Sequence, residues 1–268
     1  MLKLMDHVRV GGDLFGAIAE RDDPSKLGLG PETKAVITGA SSGIGKAITI
    51  AIAATGAAVC LVGRNAERLE AVAGSVRTIA SSVVVCETDL TSDSAVEGLA
   101  CRFKQEFGAL DILVHCAGVF ATGRIEATPV EKLDELYRAN LRLPFVLTQA
   151  LLPLLKGRQG QIVFINSSRG LAATATTGPF AATQHALKGL ADSLRQEVNA
   201  DGIRVLSVYP GRTATPRMKA LYDFEGRMYQ PELLLQADDI AQVVMTSLQM
   251  PRTAEITNIE IRPLTKSY

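Results

Sequence analysis

The stretch Val36-Ile37-Thr38-Gly39-Ala40-Ser41-Ser42-Gly43-Ile44-Gly45 sets three glycines and two serines between a short β-branched run and the apolar run Ala47–Ala54. Glycine lets a backbone take φ > 0 and lets a ligand approach the main chain closely. A helix that starts after such a turn aims its unpaired N–H groups, and the positive end of its dipole, back at the turn. That arrangement holds an anion, and a pyrophosphate suits it best. The spacing is Gly-x-x-x-Gly-x-Gly rather than the commoner G-x-G-x-x-G. Glycines alone are weak evidence; the strand–turn–helix context makes the case. Dinucleotide binding by Gly39, Ser41, Ser42, Gly43, Ile44 and Gly45 is therefore the expectation, with a purely structural turn as the alternative.

Nineteen residues past Gly45 stands Arg64, in Gly63-Arg64-Asn65. A site for NAD usually places Asp or Glu near this point to bond the ribose 2′-OH, whereas a basic residue suits a 2′-phosphate. No acid lies between Cys60 and Arg64, so NADP is favoured over NAD. Arg64 also reads as a solvated residue at a helix start. Further on, Thr88-Asp89-Leu90-Thr91 closes a strand-like run, and Asp89 suits either the N-cap of the next helix or a bond to an adenine amino group.

The elements that must position these groups alternate along the chain. Strand-like runs are Lys34–Thr38, Ala58–Val62, Ser82–Cys86, Leu110–His115, Gln161–Asn166, Ile203–Val208 and Glu255–Ile261. Most are apolar along their whole length, as strands buried on both faces are. Helix-like stretches between them are Ile44–Thr55, Ala66–Val76, Ser92–Phe107, Pro129–Leu155, Gly178–Asn199 and Asp238–Gln249. Alternating βα units imply a parallel sheet with helices on both faces and right-handed crossovers. The fold expected is α/β: a Rossmann-type doubly wound parallel sheet of about seven strands, in one domain over residues 34–268. Ligands in such sheets bind beyond the carboxyl ends of the strands, where strand order reverses. Residues 1–33 do not fit this pattern and read as an N-terminal arm, packed on the body or partly mobile.

Composition narrows the function. The chain has 268 residues, 47% hydrophobic, with 28 basic and 28 acidic residues. No basic stripe argues for nucleic acid. No apolar run reaches the roughly 18–20 residues that span a bilayer, and the N-terminus lacks the apolar segment of a secretory signal. The four cysteines, Cys60, Cys86, Cys101 and Cys116, form no C-x-x-C pair and read as buried free thiols of a cytoplasmic protein. Three histidines, none at ligand spacing from a cysteine, argue against a metal site.

Together these motifs resemble the short-chain dehydrogenase/reductase family over roughly residues 34–262. The matching parts are Thr38-Gly-x-x-x-Gly43-x-Gly45, Asp89-Leu90, Cys116-Ala117-Gly118, Asn140 inside the long fifth helix, Ser167 after the fifth strand and Pro210-Gly211 after the sixth. The resemblance implies that Asp89, Leu90, Cys116, Ala117, Gly118, Pro210, Gly211, Thr213 and Thr215 contact the cofactor. The family usually has Asn-Asn-Ala-Gly where this chain has His115-Cys116-Ala117-Gly118. His115 reads as packing at the strand end, with a catalytic role as the alternative.

The resemblance also implies hydride transfer between a nicotinamide and a carbonyl or alcohol carbon. In the family a tyrosine hydroxyl moves the proton, a lysine four residues on lowers that tyrosine's pKa and holds the ribose, a serine thirteen residues before the tyrosine bonds the substrate oxygen, and an asparagine supports a relay water. Here Ser167 matches the serine and Asn140 the asparagine. Phe180, thirteen residues after Ser167, stands at the tyrosine position, and Gln184 at the lysine position. Phenylalanine has no ionisable group, and glutamine bonds a ribose hydroxyl but cannot depress a neighbour's pKa. Three readings follow. The chain is an NADP(H)-dependent reductase, natural or altered, that keeps its cofactor site and has lost most turnover. Or it uses another acid, His185 or Arg169. Or it is a non-redox or non-catalytic protein that binds the cofactor. Residues 212–231 correspond to the family's substrate lid. Arg217, Met218, Leu221, Tyr222, Phe224, Met228 and Tyr229 suggest an apolar lining and a hydrophobic carbonyl substrate, with Arg217 and Arg227 leaving room for an acidic substituent. In the family the two long helices form the subunit interface, and the resemblance implies a homodimer or homotetramer.

Overall fold

β-branched and leucine-rich segments in this chain form seven parallel strands: β1 Lys34–Thr38, β2 Ala58–Gly63, β3 Val83–Glu87, β4 Ile112–His115, β5 Gln161–Ile165, β6 Arg204–Pro210 and β7 Asn258–Ile261. The structure, a computed structural model, describes residues 28–89 and 92–265. Most of the arm expected at 1–33, and the site residue Leu90, therefore lie outside the described residues. Strand order is β3-β2-β1-β4-β5-β6-β7. From β1 the chain winds outward to β3, then crosses back to β4 on the other side of β1. The order reverses between β1 and β4, and a cleft for a ligand belongs there.

Alternation of side chains along the strands feeds two cores. Ala35 and Ile37 of β1, with Val59 and Leu61 of β2, point to the face covered by α1 Gly43–Ala53, α2 Ala66–Val76 and, later in the chain, α8 Ala237–Leu248. Val36, Cys60 and Val62 point to the opposite face. There α3 Asp93–Phe107, α5 Leu143–Lys156 and α6 Gly178–Val198 bury Phe103, Leu147, Leu151 and Leu187. Strand residues of both sets are almost wholly inaccessible, so each buried Val, Leu or Ile contributes on the order of 1.5–3 kcal/mol. Leu29 packs on the first core.

The long helix expected over Pro129–Leu155 contains an interruption that its sequence does not announce. It runs as α4 Val130–Tyr137, a π-helical turn Arg138–Arg142, then α5. Such bulges often sit at functional sites, and this one carries Asn140. The lid region holds one further helix, α7 Pro216–Phe224, with Thr215 as its N-cap. Of the cysteines expected to be buried, Cys60 and Cys86 are, with Sγ atoms 3.6 Å apart, whereas Cys116 is half-buried and Cys101 on α3 is exposed. Among the described residues no helix is long and apolar enough to cross a membrane.

Candidate active site

The carboxyl ends of β1 to β6 open into one cavity of about 620 Å³. Its floor is the glycine turn. Gly39 has φ 68°, and a Cβ there would lie 2.9 Å from Ala117 N and from Cys116 C and O. Gly43 has φ 53°, and a Cβ would meet the Thr215 Cγ2 at 3.0 Å. Gly45 differs from expectation. It does not line the cavity; a Cβ there would sit 2.3 Å from Gly39 O, so this glycine lets α1 close onto the turn. Ser42 caps α1 without a side-chain hydrogen bond, and no acid occupies the first turn. The positive helix end is left to an incoming anion.

Thr38 holds the two halves of the switch point together. Its hydroxyl donates to Val114 O (3.2 Å) and accepts from Cys116 N (3.0 Å) and Ala117 N (3.1 Å). Asn140 is pinned to the same loop: Oδ1 accepts from Val119 N (2.8 Å), while Nδ2 donates to Val119 O (2.9 Å) and Thr183 Oγ1 (3.2 Å). A Cβ on Gly118 would lie 2.9 Å from that Oδ1, so a side chain there would have to displace the pinned amide. The side-chain amide of Asn140 is thus committed to positioning the loop after β4.

Most sequence-predicted residues meet in this cavity. Ser41, Ser42, Ile44, Cys116, Ala117, Gly118, Pro210, Gly211, Thr213 and Thr215 all lie on its wall, as do Arg64 and Asp89. Asp89 is not the helix cap: Ser92 takes that place, and Ser92 N donates to Asp89 O (3.3 Å). Thr215 Oγ1 accepts from Met218 N (3.2 Å) and Thr213 Oγ1 donates to Gly211 O (3.1 Å). Arg64 and Arg68 both reach the cavity from the start of α2, and Arg217 Nη2 donates to Gly118 O (2.5 Å).

At the β5 side stand Ser167, Phe180 and Gln184. Ser167 Oγ accepts from Arg169 N (3.1 Å), which leaves its proton to donate. Phe180 is 7% exposed and meets the Phe120 ring edge-on, centroids 4.8 Å apart at 69°. Gln184 is 5% exposed, and its side-chain amide makes no hydrogen bond among the described residues. Asn166, a residue not anticipated from sequence, braces this group: Oδ1 accepts from Ser167 N (2.7 Å) and Nδ2 donates to Gln184 O (3.1 Å).

The alternative acids fare differently. His185 is exposed on α6, outside the cavity, with Nδ1 2.9 Å from Ala181 O. Its helical angle from Gln184 turns it away. Arg169 does line the cavity. So does His115, but its ring is buried, stacked on Phe164, and 2.9 Å from Thr148 Oγ1; burial pushes its pKa down to about 3. Burial pushes the Cys116 thiol up to about 12. Neither group exchanges a proton near neutrality. Among the described residues, no tyrosine or lysine lines the cavity. Of the lid residues, Arg217, Met218 and Leu221 face the cavity, whereas Tyr222 and Tyr229 pack on one another (5.6 Å) and Phe224 and Met228 point outward, correcting the expected lining.

A model of the short chain dehydrogenase family matches residues 33–226. An uncharacterized oxidoreductase of Staphylococcus epidermidis is 34% identical over 87% of this chain and 98% of its own. An alcohol dehydrogenase from the archaeon Thermococcus sibiricus, complexed with 5-hydroxy-NADP, matches with a TM-score of 0.79 at 27% identity, covering 88% of this chain and 99% of its own. A short chain dehydrogenase from Burkholderia cenocepacia in complex with NADP gives 0.77 at 29% identity, over 87% and 98%. The fold, the switch-point cavity and these matches agree, and the chain belongs to the short-chain dehydrogenase/reductase family of oxidoreductases.

Proposed function

We propose that this protein binds NADP(H) across the switch point and acts as a carbonyl/alcohol oxidoreductase with greatly reduced turnover. The observation that carries the reading is the wall shared by the glycine turn, Ser167, Phe180 and Gln184. The cradle fits a dinucleotide: a Cβ at Gly39 would meet backbone at 2.9 Å, and the open end of α1 faces the same space. Arg64 and Arg68 suit the added charge of a 2′-phosphate better than a bare 2′-hydroxyl. The NADP and 5-hydroxy-NADP held by two similar structures point the same way.

When bound, the nicotinamide supplies or accepts hydride. The residues of this chain do the rest. Gln184 offers its buried amide to a ribose hydroxyl. The Ser167 hydroxyl donates a hydrogen bond to the substrate oxygen, and the proton that completes the alcohol comes from water. Phe180 fills the place of a proton donor with a ring, so general acid–base help worth about 10²–10⁴-fold is missing. Proximity and the Ser167 hydrogen bond remain, so slow transfer persists. NADPH oxidation against a panel of ketones, aldehydes and quinones, run beside the double change Phe180→Tyr with Gln184→Lys, tests this. Turnover restored only in the changed protein supports the reading. Equal turnover sinks it and turns attention to Arg169. NADPH binding with no turnover in either favours the second reading, a cofactor-dependent binder, for which the Phe120–Phe180 contact across the substrate end speaks.

Phe120, Phe180, Met218 and Leu221 suit a hydrophobic carbonyl compound. A homo-oligomer is part of the proposal. Val130, Leu133 and Tyr137 on α4 and Phe145 on α5 leave apolar side chains in solvent. A monomeric mass by light scattering would refute it.

A further inference from the structure

The sequence points to Arg217 and Arg227 for an acidic group, and both already have partners. Arg217 is bonded to Gly118 O at the end of β4. Arg227 lies outside the cavity, over Tyr222 and paired with Glu225 (3.2 Å). A different arginine remains. Arg212 follows β6 by two residues, as Ser167 follows β5, and the two strands are paired neighbours (Ile165↔Val208). Both residues line the cavity. The glycine turn after β1, Arg64 after β2 and Asp89 after β3 lie across the switch point, so sheet order puts Arg212 at the reaction end.

Its guanidinium is fixed and under-used. The Cζ sits 5.0 Å from the centroid of the Tyr222 ring, a stacking that holds the planar head in place. Nη1 is buried and has no partner among the described residues. Nη2 meets its one carboxylate, Glu225 Oε2, at 3.8 Å, too far for a hydrogen bond. The same oxygen is closer to Arg227. Nη1 is closed off from solvent, so Nη2, on a side chain that is still 30% exposed, is the donor left for a ligand. Phe180, Met218 and Leu221 give the cavity an apolar wall, while Glu225, which also lines it, brings the carboxylate that Arg212 only half engages.

We infer that Arg212 binds a carboxylate on the substrate, so that the substrate class is a carbonyl compound carrying an acid group joined through an apolar spacer. This rests on the reading of the cavity as a cofactor and carbonyl site.

The test is calorimetry. NADP⁺ is titrated first. Then 4-oxopentanoate, 4-oxo-4-phenylbutanoate and the methyl ester of each are titrated into the NADP⁺-saturated protein. The oxidised cofactor prevents turnover. At least one acid should bind about 10- to 100-fold more tightly than its ester, the value of a charge-assisted hydrogen bond. Arg212→Gln should abolish that gap and leave ester and NADP⁺ affinity in place. Arg212→Lys, which keeps the charge without the fork, should retain part of it, and serves if the Gln variant folds poorly. Acids that bind no better than their esters overturn the proposal. So does a gap that survives in Arg212→Gln, which would assign the anion to Arg169, or a fall in NADP⁺ affinity alone, which would assign Arg212 to the cofactor. Absence of NADP⁺ binding in the first titration is a separate result: it removes the cofactor reading, and this proposal with it.

Discussion

His115 gives the fold a pH dependence that can be worked out in advance. Its ring is 3% exposed, stacked 4.8 Å from Phe164, with Nε2 on Thr148 Oγ1 and Nδ1 unpartnered among the described residues. Burial lowers its pKa from 6.5 to about 3. Between these values the unfolded chain takes up a proton that the folded chain refuses. The unfolded state therefore binds more protons, and stability rises with pH across this window and is lost as pH falls. Refusing one proton costs the fold about 1.36 kcal/mol for each step of 1 in pH inside the window. From pH 7 to pH 5 the loss comes to about 2 kcal/mol, and to pH 4 about 3 kcal/mol. Urea unfolding followed by circular dichroism suits a chain without tryptophan. The wild type and His115→Asn are compared at pH 7, 6 and 5. The variant should lose this part of the slope whatever its stability at pH 7. Parallel slopes in the two proteins would refute the assignment, because the acid sensitivity would then belong to other groups.

Gly45→Ala forces a Cβ to within 2.3 Å of Gly39 O, backbone against backbone; it should cost about 1–3 kcal/mol in thermal unfolding and weaken NADPH binding by fluorescence titration. Arg64→Asp should reverse cofactor preference, shifting the NADP-to-NAD ratio of dissociation constants by about 10- to 100-fold; an unchanged ratio would place the 2′-phosphate elsewhere. Thr176 holds φ 66°, a region a β-branched residue resists. Thr176→Gly should raise stability by about 0.5–1 kcal/mol, offset by the lost Thr122 Oγ1 to Thr176 Oγ1 contact (3.2 Å), and a lower melting temperature would show that contact to be the stronger effect.

Much of this architecture could be read from sequence because it depends on local residue type. Strand β1 and helix α2 fall where the β-branched run and the Asn65 cap put them, with Asn65 Oδ1 accepting from Arg68 N (2.8 Å). Phe180 and Gln184 were legible because a fixed spacing from Ser167 carries across a strand–helix unit. His185 could be set aside by helical angle alone. The rest depends on tertiary contacts. The π-turn at Arg138–Arg142 has no glycine or proline within it to announce it. Asn166 looks like any strand-end residue until its amide is seen bracing both Ser167 and Gln184. Arg212 stands apart from its neighbours only through where Tyr222 and Glu225 fold to meet it. Which face of α7 meets the cavity is settled by packing of Tyr222 and Tyr229, and apolar content alone put too many lid residues inside.

Phe180 and Gln184, proposed to stand at the family's tyrosine and lysine positions, lie in one local network, and this bears on what the double change can achieve. The parts that hold a dinucleotide are intact: Gly39, Gly43, the open end of α1 and the Thr38 bridge to β4. On the proposed reading, the place of the proton donor is taken by packing. Phe180 contributes a ring to Phe120 where a hydroxyl would stand beside Ser167. Gln184 keeps a dipole but no charge. Asn140 gives both N–H groups of its amide to Val119 O and Thr183 Oγ1 and its oxygen to Val119 N, so its side chain has no N–H left for a relay. Phe180→Tyr alone would place a phenol with no cation beside it, since no lysine lines the cavity among the described residues, and its pKa would stay near the ordinary value of about 10. A donor so poorly matched to neutral pH recovers only a fraction of the effect. Gln184→Lys alone adds the cation without anything to protonate the substrate. The two changes should therefore act together, with the double variant exceeding the product of the single ones; simple multiplicative behaviour would mean that the proton reaches the substrate by another route.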